Sequence, residues 1–421
     1  MHHSKAEPAG WRRASTPYSC WAAHYTVVLL VCAAAFISYI DRTNISVGAI
    51  AMQAQLGWNE TEKGFVLSAF FIGYLLLMVG GGALANRYGG RIVLGIAVIW
   101  WSLFTVLTPP SALLSLPALI LARIALGLGE AAVFPASINM IGRWVPLQAR
   151  SRAVTLLTSS IHLGTVFALP VTGWLIQRYT WPVPFYLFGA VGLVWAAAWF
   201  TKVSSGWAIE PPADSGSRAI PWRRLLSLPC VWAIAVGHFC ANWSLYMLLA
   251  WLPSYFKSTF GVNIANAGAL SMAPWLVAFI TANLAAVLAD KLLHAGWTAT
   301  RVRKLLQCGG LIGTALFLLL LPEVSSVKAG LVLMCCATGS LACCLPGFGP
   351  NGLDIAPRYA DVIFGITNTF ATLPGIFGVL ITGWLIDHTG SYAAPFLLSA
   401  GVAVFGAIIF GLFALGDRQI A

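Results

Sequence analysis

Arg123 and Glu130 stand seven residues apart within LARIALGLGEAAVFP, the stretch 121–135, inside an apolar segment running from about Ser111 to Met140. Seven residues are two helical turns, so both side chains point the same way, roughly 10 Å apart. If the segment crosses a bilayer, each charge costs about 2.5–3.5 kcal/mol at the helix centre. Such residues face the protein interior, where a base and an acid can hold an anion and pass a proton. The plainer reading is an ion pair that bolts two helices together. A second acid and base, Asp41 and Arg42, lie in another apolar run. Together the four are formally neutral, so a cavity lined by them can stand empty without a large uncompensated charge. An entering organic anion upsets that balance by one charge, and protonating a carboxylate restores it.

The elements that must position these groups are apolar helices. The chain has 421 residues, 59% hydrophobic and 9% charged, with a mean hydropathy of +0.83. A soluble protein carries about 25% charged residues, so the composition is that of a polytopic membrane protein. Twelve runs of near-bilayer length are expected at 24–48, 63–84, 91–109, 112–140, 152–176, 182–201, 229–256, 265–289, 304–322, 328–350, 360–386 and 392–415. The predicted fold is therefore all-α, with twelve transmembrane helices in two six-helix pseudo-symmetric bundles. The expected divisions are a tail at 1–23, a first bundle at 24–201, a polar linker at 202–228, a second bundle at 229–415 and a tail at 416–421. The first helix is too long for a signal-peptide core and is expected to stay.

Topology follows from the basic residues. With the N-terminus in the cytoplasm, only Lys63, Arg178, Lys257 and Lys328 of the 24 Lys and Arg fall outside, and Arg42 and Arg123 lie within the membrane. That bias places both termini on the cytoplasmic side of a cell membrane. The halves also repeat. Thr172-Gly173-Trp174-Leu175-Ile176 returns as Thr382-Gly383-Trp384-Leu385-Ile386, half a chain length later. Parallel repeats with a midplane site between them are a transporter architecture.

Several classes are excluded. The net charge of +11 is spread over short loops, with no contiguous basic patch for nucleic acid. The nine cysteines lie mostly in apolar runs without metal-ligand spacing, and they read as small hydrophobic residues. No HExxH, Walker loop or GxSxG is present, so neither an enzyme nor a cofactor or metal is expected.

The loop Gly82-Ala83-Leu84-Ala85-Asn86-Arg87-Tyr88-Gly89-Gly90-Arg91 resembles the signature loop of the major facilitator superfamily. Asn86 stands where that family usually has Asp. The resemblance implies a gating loop built on Gly82, Asn86, Arg87, Gly89 and Arg91. Its second-half counterpart is Asp290-Lys291 with Arg303-Lys304, where Ala286 replaces the usual glycine. Tyr39 to Asn44, Arg123 to Pro135 and Asn351 to Tyr359 resemble the anion:cation symporter family. That family includes bacterial hexuronate, glucarate and galactonate permeases, sialin, and vesicular glutamate and type I phosphate transporters. The resemblance links both acids and both arginines to coupling and anion binding, and it implies a monomer among membrane lipid.

Arg42 and Arg123 offer planar forks to a carboxylate. Glu130 is the leading proton carrier. Asp41 is either a second proton site or a structural partner of Arg123. Tyr39, Tyr74, Asn242, Tyr246 and Asn368 bring hydroxyls and amides suited to a polyhydroxylated anion, whereas His162 and His238 read as satisfied core imidazoles. The seventh span lacks the arginine, and Tyr74 replaces the histidine, that vesicular glutamate transporters carry. The expected cargo is thus a monocarboxylate sugar acid, a uronate or aldonate, imported with protons. Na⁺-coupled or uncoupled anion or phosphate transport, and a transport-inactive sensor, are the rivals.

Overall fold

A computed structural model describes residues 17–203 and 220–420. The tail up to residue 16 and residues 204–219 of the expected linker lie outside the described residues.

The described residues form α1 (Pro17–Leu56), α2 (Glu60–Tyr88), α3 (Gly90–Leu114), α4 (Leu116–Glu130), α5 (Val133–Trp144), α6 (Leu147–Arg178) and α7 (Pro182–Lys202). After the linker come α8 (Trp222–Ser227), α9 (Pro229–Phe260), α10 (Ile264–His294), α11 (Ala299–Leu320), α12 (Val327–Ala342), α13 (Leu345–Phe348), α14 (Asn351–Ile355), α15 (Ala360–Thr389) and α16 (Ala393–Phe413). Among the described residues, twelve segments are long and apolar enough to span a bilayer, six before the linker and six after it. Several helices outrun the apolar windows; α1 reaches Leu56 and α10 reaches His294. Glycines at positive φ follow both ends, Gly57 at +73° and Gly296 at +87°, and side-chain caps set helix starts. Asn59 opens α2 with a reciprocal capping box: its side chain accepts from Glu62 N–H (2.7 Å), and Glu62 accepts from Asn59 N–H (2.9 Å). Asn263 opens α10 in the same manner, accepting from Asn266 N–H. Gly89, at φ +84°, makes the turn between α2 and α3 in a conformation open chiefly to glycine.

The fourth and tenth spans are broken at equivalent places. Pro135 has no N–H to give the Ala131 carbonyl, and the helix interrupts at Ala131–Ala132 between α4 and α5. Pro346 does the same to Ala342, where α12 ends, and Pro350 withholds its bond from the Pro346 carbonyl. Arg303 supplies that carbonyl with a donor (3.0 Å) and ion-pairs with Asp354 at 2.8 Å. The sequence grouped Arg303 with Asp290; the tertiary fold gives it Asp354 of α14, because α11 packs against the broken tenth span.

The halves meet along α2 against α15 and α6 against α10. On the face away from the termini these pairs are in close contact. There Lys63, buried, bonds Gln53 (2.8 Å) and Glu60 (2.5 Å), and its ammonium lies 4.8 Å from the Trp251 ring of the second half. On the termini side a cavity of about 710 Å³ runs inward between the halves, past Gly82, Asn86, Asp361 and Gly365 to Arg42 and Glu130. The chain is thus closed on one face and open on the other.

Candidate functional site

The inner end of this cavity is built on α1. Ser38 and Arg42, one turn apart, share a helix face directed at the break in the fourth span. Glu130, the last residue of α4, points back at them. Its Oε2 accepts from Ser38 Oγ (2.9 Å), Arg42 Nη2 (3.1 Å) and Arg42 Nε (3.3 Å). The Arg42–Glu130 ion pair therefore joins α1 to α4 within the first half, and both residues also line the cavity. Three aromatic rings surround the guanidinium, those of Phe70, Tyr39 and Tyr74, with centroids 4.6, 4.7 and 4.8 Å away. Tyr39 also accepts a bond from Arg42 Nη1 (3.4 Å). A cation held among ring faces keeps favourable contacts without spending all its donors.

Arg123 and Asp41, the other two of the four charges read from the sequence, sit apart from the cavity. Arg123 lies behind Phe70, 5.7 Å from its ring, and its Nε and Nη1 have no hydrogen-bond partner among the described residues. It borders a small void of about 20 Å³ that Arg42 and Tyr246 also border. Asp41 is fully buried and takes a hydrogen bond from Trp101 Nε1 at 3.1 Å. Adjacent positions on a helix diverge by about 100°, so Asp41 faces α3 while Arg42 faces the cavity.

Among the polar candidates, Tyr39, Tyr74, Tyr246 and Asn368 line the same cavity as Arg42. Asn368 donates to Met78 Sδ (3.0 Å), across the interface between halves. Asn242 lines an adjoining cavity and donates to the Ala371 carbonyl (2.9 Å), tying α9 to α15. His162 is also on that adjoining wall, whereas His238 stacks on Phe348 with centroids 4.0 Å apart.

Of the loop residues, Gly82 and Asn86 stand at the cavity mouth. Asn86 accepts from Asn139 (3.2 Å), whose own oxygen accepts from Gly90 N–H (3.1 Å). Arg91 donates from Nε to the Val203 carbonyl and from Nη2 to that of Phe200 (3.2 Å), tying α3 to the end of α7. Arg87 stacks on Tyr88, and Asp290 is exposed, its backbone carbonyl bonded to His294. The hydrogen bonds of Asn86 and Arg91 thus stay within the first half.

Ser38, Phe70 and Trp101 were not picked out from the sequence. Ser38 had a signal, four residues before Arg42 on one face. Phe70 and Trp101 had none, since aromatic residues fill most apolar helices.

The family model described as Major Facilitator Superfamily matches residues 31–379. The chain belongs to that superfamily. It is 39% identical over 409 residues to "Sodium-dependent phosphate transport protein 1, chloroplastic" of Arabidopsis thaliana, covering 94% of this chain and 80% of the relative. To "Ascorbate transporter, chloroplastic" of the same plant it is 36% identical, covering 93% and 75%. To "Sialin" of Homo sapiens it is 33% identical, covering 97% and 93%. The crystal structure of a D-xylose–proton symporter superposes with a TM-score of 0.77 at 16% identity, covering 95% of this chain and all of that one. This likeness shows the fold. The protein is a multi-pass member of the superfamily, all-α, as the loop at Gly82–Arg91 implied.

Proposed function

We propose that the protein is a secondary active transporter that imports a small organic monoanion with protons by alternating access. One observation carries the reading: the buried Arg42–Glu130 pair faces a cavity between the two halves. An entering carboxylate takes the donors of Arg42 that Glu130 now occupies, and Glu130 accepts a proton as it lets go. Arg42 then stays paired throughout, and the buried charge stays at zero. Arg123, behind Phe70, adds positive potential to the site. Asp41 is the second protonatable group, held by Trp101. Tyr39, Tyr74, Tyr246, Asn242 and Asn368 shape the space around the cargo, and the loop from Gly82 to Arg91, with Asp290 opposite, serves the gate at the mouth.

The relatives named for phosphate and for ascorbate support an anion as cargo. Among the described residues Arg42 is the one Lys or Arg on the wall of the main cavity, which favours a monoanion over a dianion. Uronates and aldonates, the sugar acids named from the sequence, are monoanions of suitable size. Sodium in the name of one relative makes Na⁺ coupling the rival. The bias of basic residues supports cytoplasmic termini in a cell membrane, so that the cavity opens to the cytoplasm, and a single chain holds the whole site.

Moving one negative charge inward against 100 mV costs about 2.3 kcal/mol, which one proton cancels and two outweigh. Proteoliposomes loaded with a pH dye provide the test, using gluconate, glucuronate and aryl carboxylates as cargoes. Substrate-driven proton entry should appear in the wild type and vanish in Glu130→Gln, which retains exchange. Transport that ignores pH, or follows a Na⁺ gradient alone, rejects the proposal.

A further inference from the structure

Beside the cavity that holds Arg42 lies a second one of about 290 Å³, and the two share Tyr39, Ile161 and Tyr246 as walls. Its body is formed mainly by the second half, with Leu245, Trp275, Leu341, Leu345 and Phe348 around it and Ala241 and Ala278 at close quarters. Among the described residues, no Lys, Arg, Asp or Glu lines it.

Seven hydroxyl, amide or imidazole side chains border this lobe: Tyr39 and Tyr246 on the wall it shares with the Arg42 cavity, and five more whose groups each already bond a backbone carbonyl. Thr158 donates to Thr155 (3.0 Å), and Thr165 to Ile161 (3.4 Å). Thr338 donates to Pro274 (2.8 Å) and Asn242 to Ala371 (2.9 Å), while His162 Nδ1 is bonded to Thr158 (3.0 Å). A hydroxyl group both donates and accepts, so a polyol chain buried here needs free donors as well as acceptors. Away from the wall shared with the Arg42 cavity the open sites are chiefly acceptors, Asn242 Oδ1 and His162 Nε2 among them, and free donors are few. Further hydroxyls lose their water and gain nothing in return. An apolar ring, by contrast, gains from burial against Trp275 and Phe348.

We propose that the cargo is amphiphilic, a single carboxylate on Arg42 joined to an apolar, ring-sized body seated among Leu245, Trp275, Leu341 and Phe348. The sugar acids are then the disfavoured class. The proposal rests on Arg42 as the anion site, and Ala241 and Ala278 set the length of body that fits.

Ligand-dependent melting of the detergent-purified full chain, at fixed pH and ionic strength, tests it with five probes: 3-phenylpropionate, gluconate, glucuronate, lactate and inorganic phosphate. The phenyl acid should bind roughly tenfold or more tightly than either sugar acid, and Arg42→Gln should abolish its binding. Ala278→Leu fills the lobe; it should weaken 3-phenylpropionate roughly tenfold and leave lactate within about twofold. Ala241→Leu repeats the test if that variant fails to fold, and the ligand ranking on the wild type stands without either. Tighter Arg42-dependent binding of gluconate or glucuronate overturns the apolar body and leaves the organic-anion reading standing. Binding of phosphate alone, or carboxylate binding indifferent to Arg42→Gln, overturns both.

Discussion

Gln177 and Asp387, half the chain apart, make the same contact on opposite halves. Gln177 Oε1 accepts the Ala265 N–H at the start of α10 (3.1 Å), and the Asp387 carboxylate accepts the Glu60 and Thr61 N–H groups at the start of α2 (2.8 and 2.6 Å). Each stands one turn beyond a glycine of the repeated Thr-Gly-Trp-Leu-Ile. A Cβ on Gly173 would come within 2.9 Å of the Ile264 carbonyl oxygen, and one on Gly383 within 2.4 Å of that of Glu60. The internal repeat is thus a seal used twice: a glycine admits the first turn of a helix from the other half, and the next residue on that face bonds its free N–H groups.

The two seals differ in charge. A carboxylate at a helix N-terminus adds about 0.3–1 kcal/mol through the dipole, beyond its hydrogen bonds. Asp387→Ala should therefore loosen the closed face more than Gln177→Ala does. Hydrogen–deuterium exchange of the peptide spanning residues 58–64 should quicken severalfold in Asp387→Ala, with the 264–267 segment nearly unchanged. Equal exchange in wild type and variant would contradict the seal.

Arg42 and Glu130 form a buried pair, and removing one partner leaves a charge uncompensated at a cost of about 3–5 kcal/mol. The cavity lets water reach Arg42, so the lower end is expected. Arg42→Gln and Glu130→Gln should each lower the melting temperature, and the double variant should recover part of the loss. Strict additivity in that cycle would show that the pair is not coupled.

Trp101→Phe removes the indole N–H from Asp41 and leaves a smaller aromatic ring in its place. Leaving a buried carboxylate short of that donor costs about 1–3 kcal/mol. Adding Asp41→Asn should return part of the stability, because a neutral amide costs less to bury than a carboxylate. Denaturation of the two variants in one detergent measures the difference.

Glycines at α2 and α4 bring those helices together beneath the site. A Cβ on Gly127 would stand 2.0 Å from the Phe70 carbonyl oxygen, and one on Gly73 1.8 Å from that of Ile124. Gly127→Ala or Gly73→Ala must push the helices apart, at about 1–3 kcal/mol or more, and displace Phe70 from between the two arginines. Gly82→Ala meets nothing nearer than 4.0 Å and should change stability by less than about 0.5 kcal/mol. Fluorescence-detected gel filtration should show aggregation for the first two and a normal peak for the third.

The amino-acid sequence by itself determined what depends on a residue and its near neighbours along the chain. Apolar runs of bilayer length, the four charges that cannot face lipid, and the repeated Thr-Gly-Trp-Leu-Ile are all local in this sense, because insertion costs accrue residue by residue. The partners were not local. Arg123 and Glu130 share a face by spacing, yet Glu130 ends its helix at the break made by Pro135 and bonds Arg42, 88 positions earlier. Arg123 meets Phe70, Asp41 meets Trp101, and Arg303 takes Asp354 over Asp290. Helical periodicity fixes which residues share a face within a few turns; how far each helix rotates and tilts is decided when twelve spans pack, and that packing chose every partner.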